Sequence, residues 1–240
     1  MKAVILAAGI GHRLGDLGKT TPKCLIKIGK ETILERNISL LERQGIAKQD
    51  MAIVIGGKGE MWTEENQDKI KSMHSNVIVN NENVEKNQAY SFWLGTRDID
   101  DDLACIDGDS VFNEKALEKV VKSEYGSCFL TRIVPSEKRA RVLVKNNRVF
   151  DIGKEVISDR VYTPILKFSR VFLDALKKEI ESKKEIYFSE SIIPPMVAIC
   201  QKHKIFNINL EGTGEDNGLF VNINTPEEYN KAVEVFGGYQ

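Results

Sequence analysis

Lys2-Ala3-Val4-Ile5-Leu6-Ala7-Ala8-Gly9-Ile10-Gly11-His12-Arg13-Leu14, followed by Lys19-Thr20-Thr21-Pro22-Lys23, is the stretch that decides the fold. Val4 to Ala8 is a short continuous apolar run closed by Gly9 and Gly11, the pattern of a strand covered on both faces. Open α/β sheets bind ligands at the carboxyl ends of such strands. Glycines there let backbone N–H groups approach a phosphate with no Cβ in the way. A dinucleotide fingerprint is one reading, since Gly9-x-Gly11-x-x-x-Gly15 is near its spacing. That fingerprint needs a helix opening at the glycines and an acid about 20 positions on. Here Lys19 to Lys23 interrupts any helix, and the next strand, from Met51, ends in Gly56-Gly57. The other reading is a nucleoside-triphosphate loop without the Walker pattern, in which Arg13 and Lys23 flank a turn long enough to wrap a triphosphate. An ordinary strand-to-helix turn would carry a bare Gly-x-Gly; the added Arg13 and Pro22-Lys23 favour a phosphate site.

Outward from this loop, strand and helix patterns alternate. Helical spacing over 32–46 is closed by Gly45, and Met51 to Ile55 reads as a second buried strand. A polar helix over 64–73, a strand Val77 to Val79, a helix Tyr90 to Thr96 and a strand Leu103 to Ile106 follow. Asn113 is positioned to cap a helix over 114–124. The alternation predicts parallel strands with right-handed crossovers. Beyond this, Cys128 to Val134, Arg141 to Val144, Arg148 to Ile152 and Tyr162 to Phe168 read as antiparallel strands, with Asn146-Asn147 as a tight turn. Helices over 170–182, capped by Ser169, and over 189–201, interrupted by Pro194-Pro195, precede a strand at 205–210 and a helix at 226–235. The expectation is one α/β domain over 1–240: a Rossmann-like three-layer sandwich with a mostly parallel central sheet and a smaller mixed part. Residues 1–125 form its nucleotide-binding half and 126–240 its acceptor-facing half.

The 240 residues are 42% hydrophobic and 29% charged, which excludes disordered, fibrous and membrane classes. Lys plus Arg number 34 against 35 Asp plus Glu, so a globally basic nucleic-acid binder is not expected. Cys24, Cys105, Cys128 and Cys200 form no C-x-x-C pair, and His12, His74 and His203 show no metal-ligand spacing. No apolar run approaches the ~18 residues needed to span a bilayer, and the first seven apolar residues end in glycines instead of a cleavage site. A cytoplasmic protein without membrane or nucleic-acid partners is expected, as monomer or homodimer.

Leu6-Ala7-Ala8-Gly9-x-Gly11-x-Arg13-Leu14 with Pro22-Lys23 resembles the signature of the sugar-phosphate nucleotidyltransferases. These enzymes couple an NTP to a phosphorylated sugar or alcohol and release pyrophosphate. Asn87-Gln88-Ala89-Tyr90-Ser91-Phe92-Trp93-Leu94 and Asp107-Gly108-Asp109 look like the branch containing phosphocholine cytidylyltransferases. Phe220-Val221-Asn222-Ile223-Asn224-Thr225-Pro226-Glu227-Glu228 is similar to the family's closing strand-to-helix turn. One departure is Asn224, where the branch often has an acid and other branches an asparagine.

The resemblance implies CTP, or another NTP, seated on Leu6, Ala7, Ala8, Gly9 and Gly11. It puts Arg13 at the β- and γ-phosphates and Lys23 at the α-phosphate, as the catalytic cations. Gln88 and Ser91 stand where the branch contacts the base, although either residue type also caps helices. Asp107-Gly108-Asp109 ends a strand at the carboxyl edge, where Mg²⁺ would find carboxylate oxygens beside substrate phosphates. Asp109 is then the first metal ligand, Asp107 a nucleotide or outer contact, and Asn224 a second ligand or simply a turn residue before Pro226. Lys154 falls where the family often places a lysine against the acceptor phosphate. For the acceptor itself, Tyr187 and Glu190 offer a ring and a counter-charge to a quaternary ammonium. The expected function is transfer of CMP to choline phosphate or an aminophosphonate. Inositol 1-phosphate or a sugar 1-phosphate stays open as the acceptor, uridylyl or guanylyl transfer as the reaction, and a non-catalytic nucleotide sensor as the alternative of another class. The missing acid after the second strand disfavours a nicotinamide-dependent oxidoreductase.

Overall fold

The computed structural model describes residues 1–134, 139–210 and 220–238. The first strand, β1 (Lys2–Ala7), leads into the glycine loop, which carries the short helix α1 (Asp16–Thr20). A two-residue ribbon, β2 (Lys27–Ile28) and β3 (Glu31–Thr32), precedes α2 (Ile33–Arg43), and Thr32 with Glu35 forms a capping box at its start. Then come β4 (Met51–Gly56), α3 (Glu64–Met73), β5 (Val77–Asn80), α4 (Gln88–Thr96), β6 (Leu103–Asp107), β7 (Ser110–Phe112) and α5 (Glu114–Val121). The later part holds β8 (Cys128–Ile133), β9 (Arg141–Lys145), β10 (Arg148–Gly153), β11 (Arg160–Phe168), α6 (Arg170–Ser182), α7 (Lys184–Tyr187) and α8 (Ile193–Cys200). It closes with β12 (Phe206–Asn209), β13 (Phe220–Asn222) and α9 (Pro226–Phe236).

Among the described residues one sheet runs β5-β4-β1-β6-β11-β8-β12-β10-β9. Strands β5, β4, β1 and β6 are parallel, as the alternation predicted. The sheet then turns mixed, which corrects the expectation of a mostly parallel one. Strand β11 lies antiparallel to both β6 and β8, and β9–β10–β12 add further antiparallel pairs. The cause is visible in β11. Val161 and Thr163 to Phe168 are all buried, so this strand is covered on both faces and belongs at the centre of the sheet. The antiparallel strands therefore continue the main sheet instead of forming a separate smaller part.

Alternation along β1 sends Ala3, Ile5 and Ala7 to one face, where α2 and α5 pack with Leu34, Ile38, Leu41 and Leu117. Val4 and Leu6 face the other side, against Phe92 of α4, Phe172 and Leu176 of α6 and Met196 of α8. Helices thus cover both faces. A third cluster joins Leu14 of the glycine loop and Ile33 of α2 to Val111, Val221, Ile223 and Phe236. It locks the small β7–β13 ribbon and α9 onto the loop.

Element boundaries moved where local chemistry overrode periodicity. The prolines Pro194-Pro195 open α8 instead of breaking a longer helix, because proline's missing N–H is unneeded in a first turn. Asn87 caps α4, so that helix begins at Gln88, earlier than its apolar spacing indicated. Asn146 and Asn147, at φ 50° and 60°, make the left-handed turn of the β9–β10 hairpin. No helix among the described residues is long and apolar enough to cross a membrane.

Candidate active site

The carboxyl ends of β1 and β6 and the start of α4 enclose a cavity of about 460 Å³. Its lining gathers Leu6, Ala7, Ala8, Gly9, Gly11 and Arg13 from the loop with Lys23, Gln88, Ser91, Asp107, Asp109 and Asn224. The loop is compact for a stated reason. Gly11 has φ +62°, and a Cβ on Gly18 would lie 2.4 Å from the Gly11 carbonyl oxygen. Gly18 leaves no room for a side chain, Gly11 holds a backbone angle that side chains rarely adopt, and backbone folds onto backbone. Leu14 anchors the turn, its N–H bonded to the Gly11 carbonyl at 3.0 Å.

Lys23 is the hub of the polar network. Its Nζ donates to Asp109 Oδ2 and to Asn224 Oδ1, each at 2.7 Å. The Lys23 and Asp109 side chains are only 12% and 21% exposed, so this pair is shielded from full solvent screening. Arg13 Nη2 donates to the same Asn224 oxygen at 2.7 Å. What brings Asn224 here is backbone pairing: β13 is antiparallel to β7, and the Ile223 N–H bonds the Asp109 carbonyl at 2.8 Å. Glu228 then accepts from the N–H groups of Asn224 and Thr225 at 2.7 and 3.1 Å, fixing the turn at the start of α9.

Deeper in the cavity, Gln88 Nε2 donates to Asp107 Oδ1 at 2.7 Å, and Gln88 Oε1 accepts from the Ile192 N–H at 3.3 Å. Burial, reinforced by the neighbouring Asp109 carboxylate, pushes the Asp107 carboxyl well above the usual range, against the opposing pull of Gln88 and Lys23. Ser91 is buried, and its Oγ accepts from Asn80 Nδ2 at 3.0 Å. Gln88 and Ser91 therefore hold the floor of the cavity in place. Cys24 also lines the site, but burial pushes its thiol up to about 12. A thiol of that acidity is a poor nucleophile, so the site has no activated cysteine there.

Sequence reading missed Asn83. Its Oδ1 accepts from Gly57 and Lys58 N–H groups at 3.1 and 2.8 Å, and its Nδ2 donates to the Lys58 carbonyl at 2.8 Å and the Ala8 carbonyl at 3.4 Å. One side chain thus ties the end of β4 to the glycine loop. The signal was the asparagine-rich run Asn80-Asn81-Glu82-Asn83 directly after a strand.

Three expected acceptor residues are placed elsewhere. Lys154 is exposed and lines a separate surface hollow with Glu155, Val156 and Ile157. Tyr187 is buried in the core against α6, its hydroxyl donating to Glu179 at 2.8 Å. The Glu190 side chain is exposed, and that residue meets the site through its carbonyl, which accepts from the Ala89 N–H at 3.0 Å. The apolar positions flanking Tyr187 carry the physical reason: its ring completes a hydrophobic cluster with Phe188 and Ile192.

A loop with these cations beside two carboxylates has the charges to meet a polyanionic ligand. The chain is 24% identical over 238 residues to the bifunctional IPC transferase and DIPP synthase of Aquifex aeolicus, covering 96% of this chain and 50% of that one. It is 29% identical over 131 residues to the choline-phosphate cytidylyltransferase of Streptococcus pneumoniae, covering 54% of each. The chain thus spans about half the length of these curated relatives. The fold matches the solved CTP:phosphocholine cytidylyltransferase of S. pneumoniae at a TM-score of 0.77, with 20% identity and 98% of both chains covered. It also matches the inositol-1-phosphate CTP transferase of T. maritima at 0.73, with 19% identity over 100% of this chain and 97% of that one. Residues 3–180, from β1 through most of α6, match the MobA-like NTP transferase domain, and the chain belongs to that family.

Proposed function

We propose that this chain transfers a nucleotidyl group, CMP from CTP, to a small phosphorylated alcohol and releases pyrophosphate. The observation that carries the reading is the convergence of Lys23 and Arg13 on Asn224 and Asp109 at the mouth of the glycine loop. CTP is favoured because a choline-phosphate cytidylyltransferase stands among the curated relatives and two CTP-dependent transferases, by name, among the fold neighbours.

Such chemistry needs no protein nucleophile. An oxygen of the acceptor phosphate forms a bond to the α-phosphorus, the bond from that phosphorus to the bridging oxygen breaks, and the electron pair leaves with pyrophosphate. Both reactants are anions, so positioning and charge stabilisation dominate. Backbone N–H groups of the loop hold the triphosphate. Arg13 grips the outer phosphates bidentately, and Lys23 swings from Asp109 and Asn224 to the α-phosphate. Departure of the Lys23 ammonium leaves two oxygen donors facing the triphosphate.

Those donors suit Mg²⁺, which takes carboxylate and amide oxygens together with water and phosphate. Among the described residues no three His, Cys, Asp or Glu side chains converge, so an ion here depends on Asp109, Asn224 and the nucleotide itself. Bound there, Mg²⁺ would supply neutralising charge to the phosphates. A pyrophosphate-release assay with each of four NTPs against choline phosphate, aminoethylphosphonate, inositol 1-phosphate and sugar 1-phosphates tests the reading. Turnover with CTP is the expected result. Tight CTP binding with no turnover on any acceptor would instead favour a nucleotide sensor.

A further inference from the structure

Helix α2 buries one polar side chain among its apolar ones. Its inward face carries Ile33, Leu34, Ile38, Leu40 and Leu41, and the fully buried Asn37 lies between them. That residue costs the helix twice. Asparagine is a weaker helix former than leucine, and an amide taken out of water needs hydrogen bonds to offset its burial. Here half of the amide is bonded. Asn37 Nδ2 donates to the Ser110 carbonyl at 3.2 Å, whereas Oδ1 has no partner among the described residues. A local rule broken without a local return marks a residue kept for something outside its own helix.

What Asn37 reaches is the backbone next to Asp109. Among the described residues β7 pairs with β13 alone, so its other edge has no strand beside it. Carbonyls alternate in direction along a strand. That of Asp109 faces β13 and accepts from the Ile223 N–H, and those of Ser110 and Phe112 face α2. Asn37 bonds the first of these, and Arg36 Nη2 bonds the second at 3.3 Å. Two successive side chains of a helix thus stand in for a third strand. Arg36 also lies over the Phe236 ring, 5.1 Å from its centroid, so the same turn of α2 grips α9.

The ribbon matters for what it carries. Asp109 directly precedes β7, Asn222 ends β13, and Asn224 follows it. A hollow of about 390 Å³ adjoins the glycine-loop cavity, and Asn222 and Asn224 stand with Arg13 and Asp107 in the wall between them. Any drift of β7 therefore moves the two oxygen donors that hold Lys23.

We propose that Asn37 is a positioning residue: with Arg36 it pins the free edge of β7 and so sets where the Asp109 carboxylate and the Asn224 amide meet Lys23 and the triphosphate. The kinetic consequence rests on the nucleotidyl-transfer reading, to which the proposal adds a residue outside the cavity.

The test is Asn37→Leu, which keeps the size and removes the donor. With CTP, kcat for pyrophosphate release should fall about 10–100-fold, the usual cost of losing a group that orients a site ligand, while KM for CTP stays within about twofold. The melting temperature should stay within about 4 °C of wild type, because leucine's apolar burial offsets the lost bond. In hydrogen exchange, amides of 110–112 and 220–223 should open about fivefold faster or more, with β1 and β4 at wild-type rates. A kcat within twofold of wild type overturns the proposal. So does a fall in kcat with ribbon exchange unchanged, or with a lowered melting temperature and faster exchange throughout, the mark of a merely structural asparagine. Where no NTP and acceptor pair releases pyrophosphate, the transfer reading fails and exchange decides alone: faster opening confined to the ribbon supports the pinning, and unchanged or general opening overturns it. If circular dichroism shows Asn37→Leu unfolded, Arg36→Met, which releases the other clasp, carries the same readouts.

Discussion

The glycine-loop cavity and the hollow beside it share a wall yet treat their polar atoms differently. In the first, Lys23, Asp109, Asn224, Gln88, Asp107 and Asn83 are all bonded to one another or to backbone. In the second, the shielded Tyr162 hydroxyl has no partner among the described residues, and neither has the amide oxygen of Asn222 in the shared wall. The first is built on the ends of parallel strands, which neighbouring strands hold on both sides; β1 lies between β4 and β6. The second is assembled from a post-strand segment, one face of β11 and a helix start. Fixed geometry is what rate acceleration needs, whereas the adaptable side is where a family can change acceptors. Substitutions on the two sides should therefore strike different kinetic constants.

The sharpest break would come at the carboxylates. Asp109→Asn is expected to abolish turnover and Asp107→Asn to reduce it less, with full loss of activity in EDTA restored by Mg²⁺. Activity in EDTA, or the reverse ranking, would remove the ion from the shared wall. Next is Lys23→Ala, for which kcat should fall about 10²–10³-fold while thermal unfolding shows a folded protein, the usual cost of one lost preorganised charge contact. Wild-type kinetics in that folded variant would erase the contrast between the two regions. Smaller is Gly18→Ala, whose added methyl meets a backbone oxygen 2.4 Å away and must push the loop apart. It should raise the KM for CTP and leave the acceptor KM unaltered, measured with each substrate varied in turn. Least is the effect of Tyr187→Phe and Lys154→Ala on acceptor choice. The ratio of kcat/KM for inositol 1-phosphate and choline phosphate should stay within twofold of wild type in both. Tyr187→Phe should cost about 1 kcal/mol in denaturant unfolding through its lost bond to Glu179. A large change in that ratio would return Lys154 or Tyr187 to the acceptor site.

The parts that could be read from the chain alone are those whose chemistry is local. Val4 to Ala8 followed by glycines specifies a buried strand and a bare-backbone turn within a dozen residues, and Asn146-Asn147 announces its hairpin. The central position of β11 was not local. It depends on pairing between residues some 60 positions apart, such as Leu166 with Cys105, and an apolar run has no address in it. Tyr187 illustrates the opposite failure. Aromatic composition near an acid looks like a cation cage, but the same ring serves a core, and only packing distinguishes the two. Asn222 and Glu228 fell within the closing-turn stretch, but nothing in it pointed to Tyr162 or Arg139, some 60 to 90 positions earlier.

The bond from Arg13 to Asn224 joins positions 211 residues apart. On a ribosome adding about 5–20 residues per second, the glycine loop emerges roughly 10–40 s before the turn that completes it. During that interval Leu14, Ile26 and Ile33 lack Val221, Ile223 and Phe236, the residues that later cover them. A nascent chain is thus left with an open apolar seam beside its glycine loop, a natural foothold for a chaperone. Nucleotide binding should switch on abruptly, late in synthesis, when β13 zips onto β7.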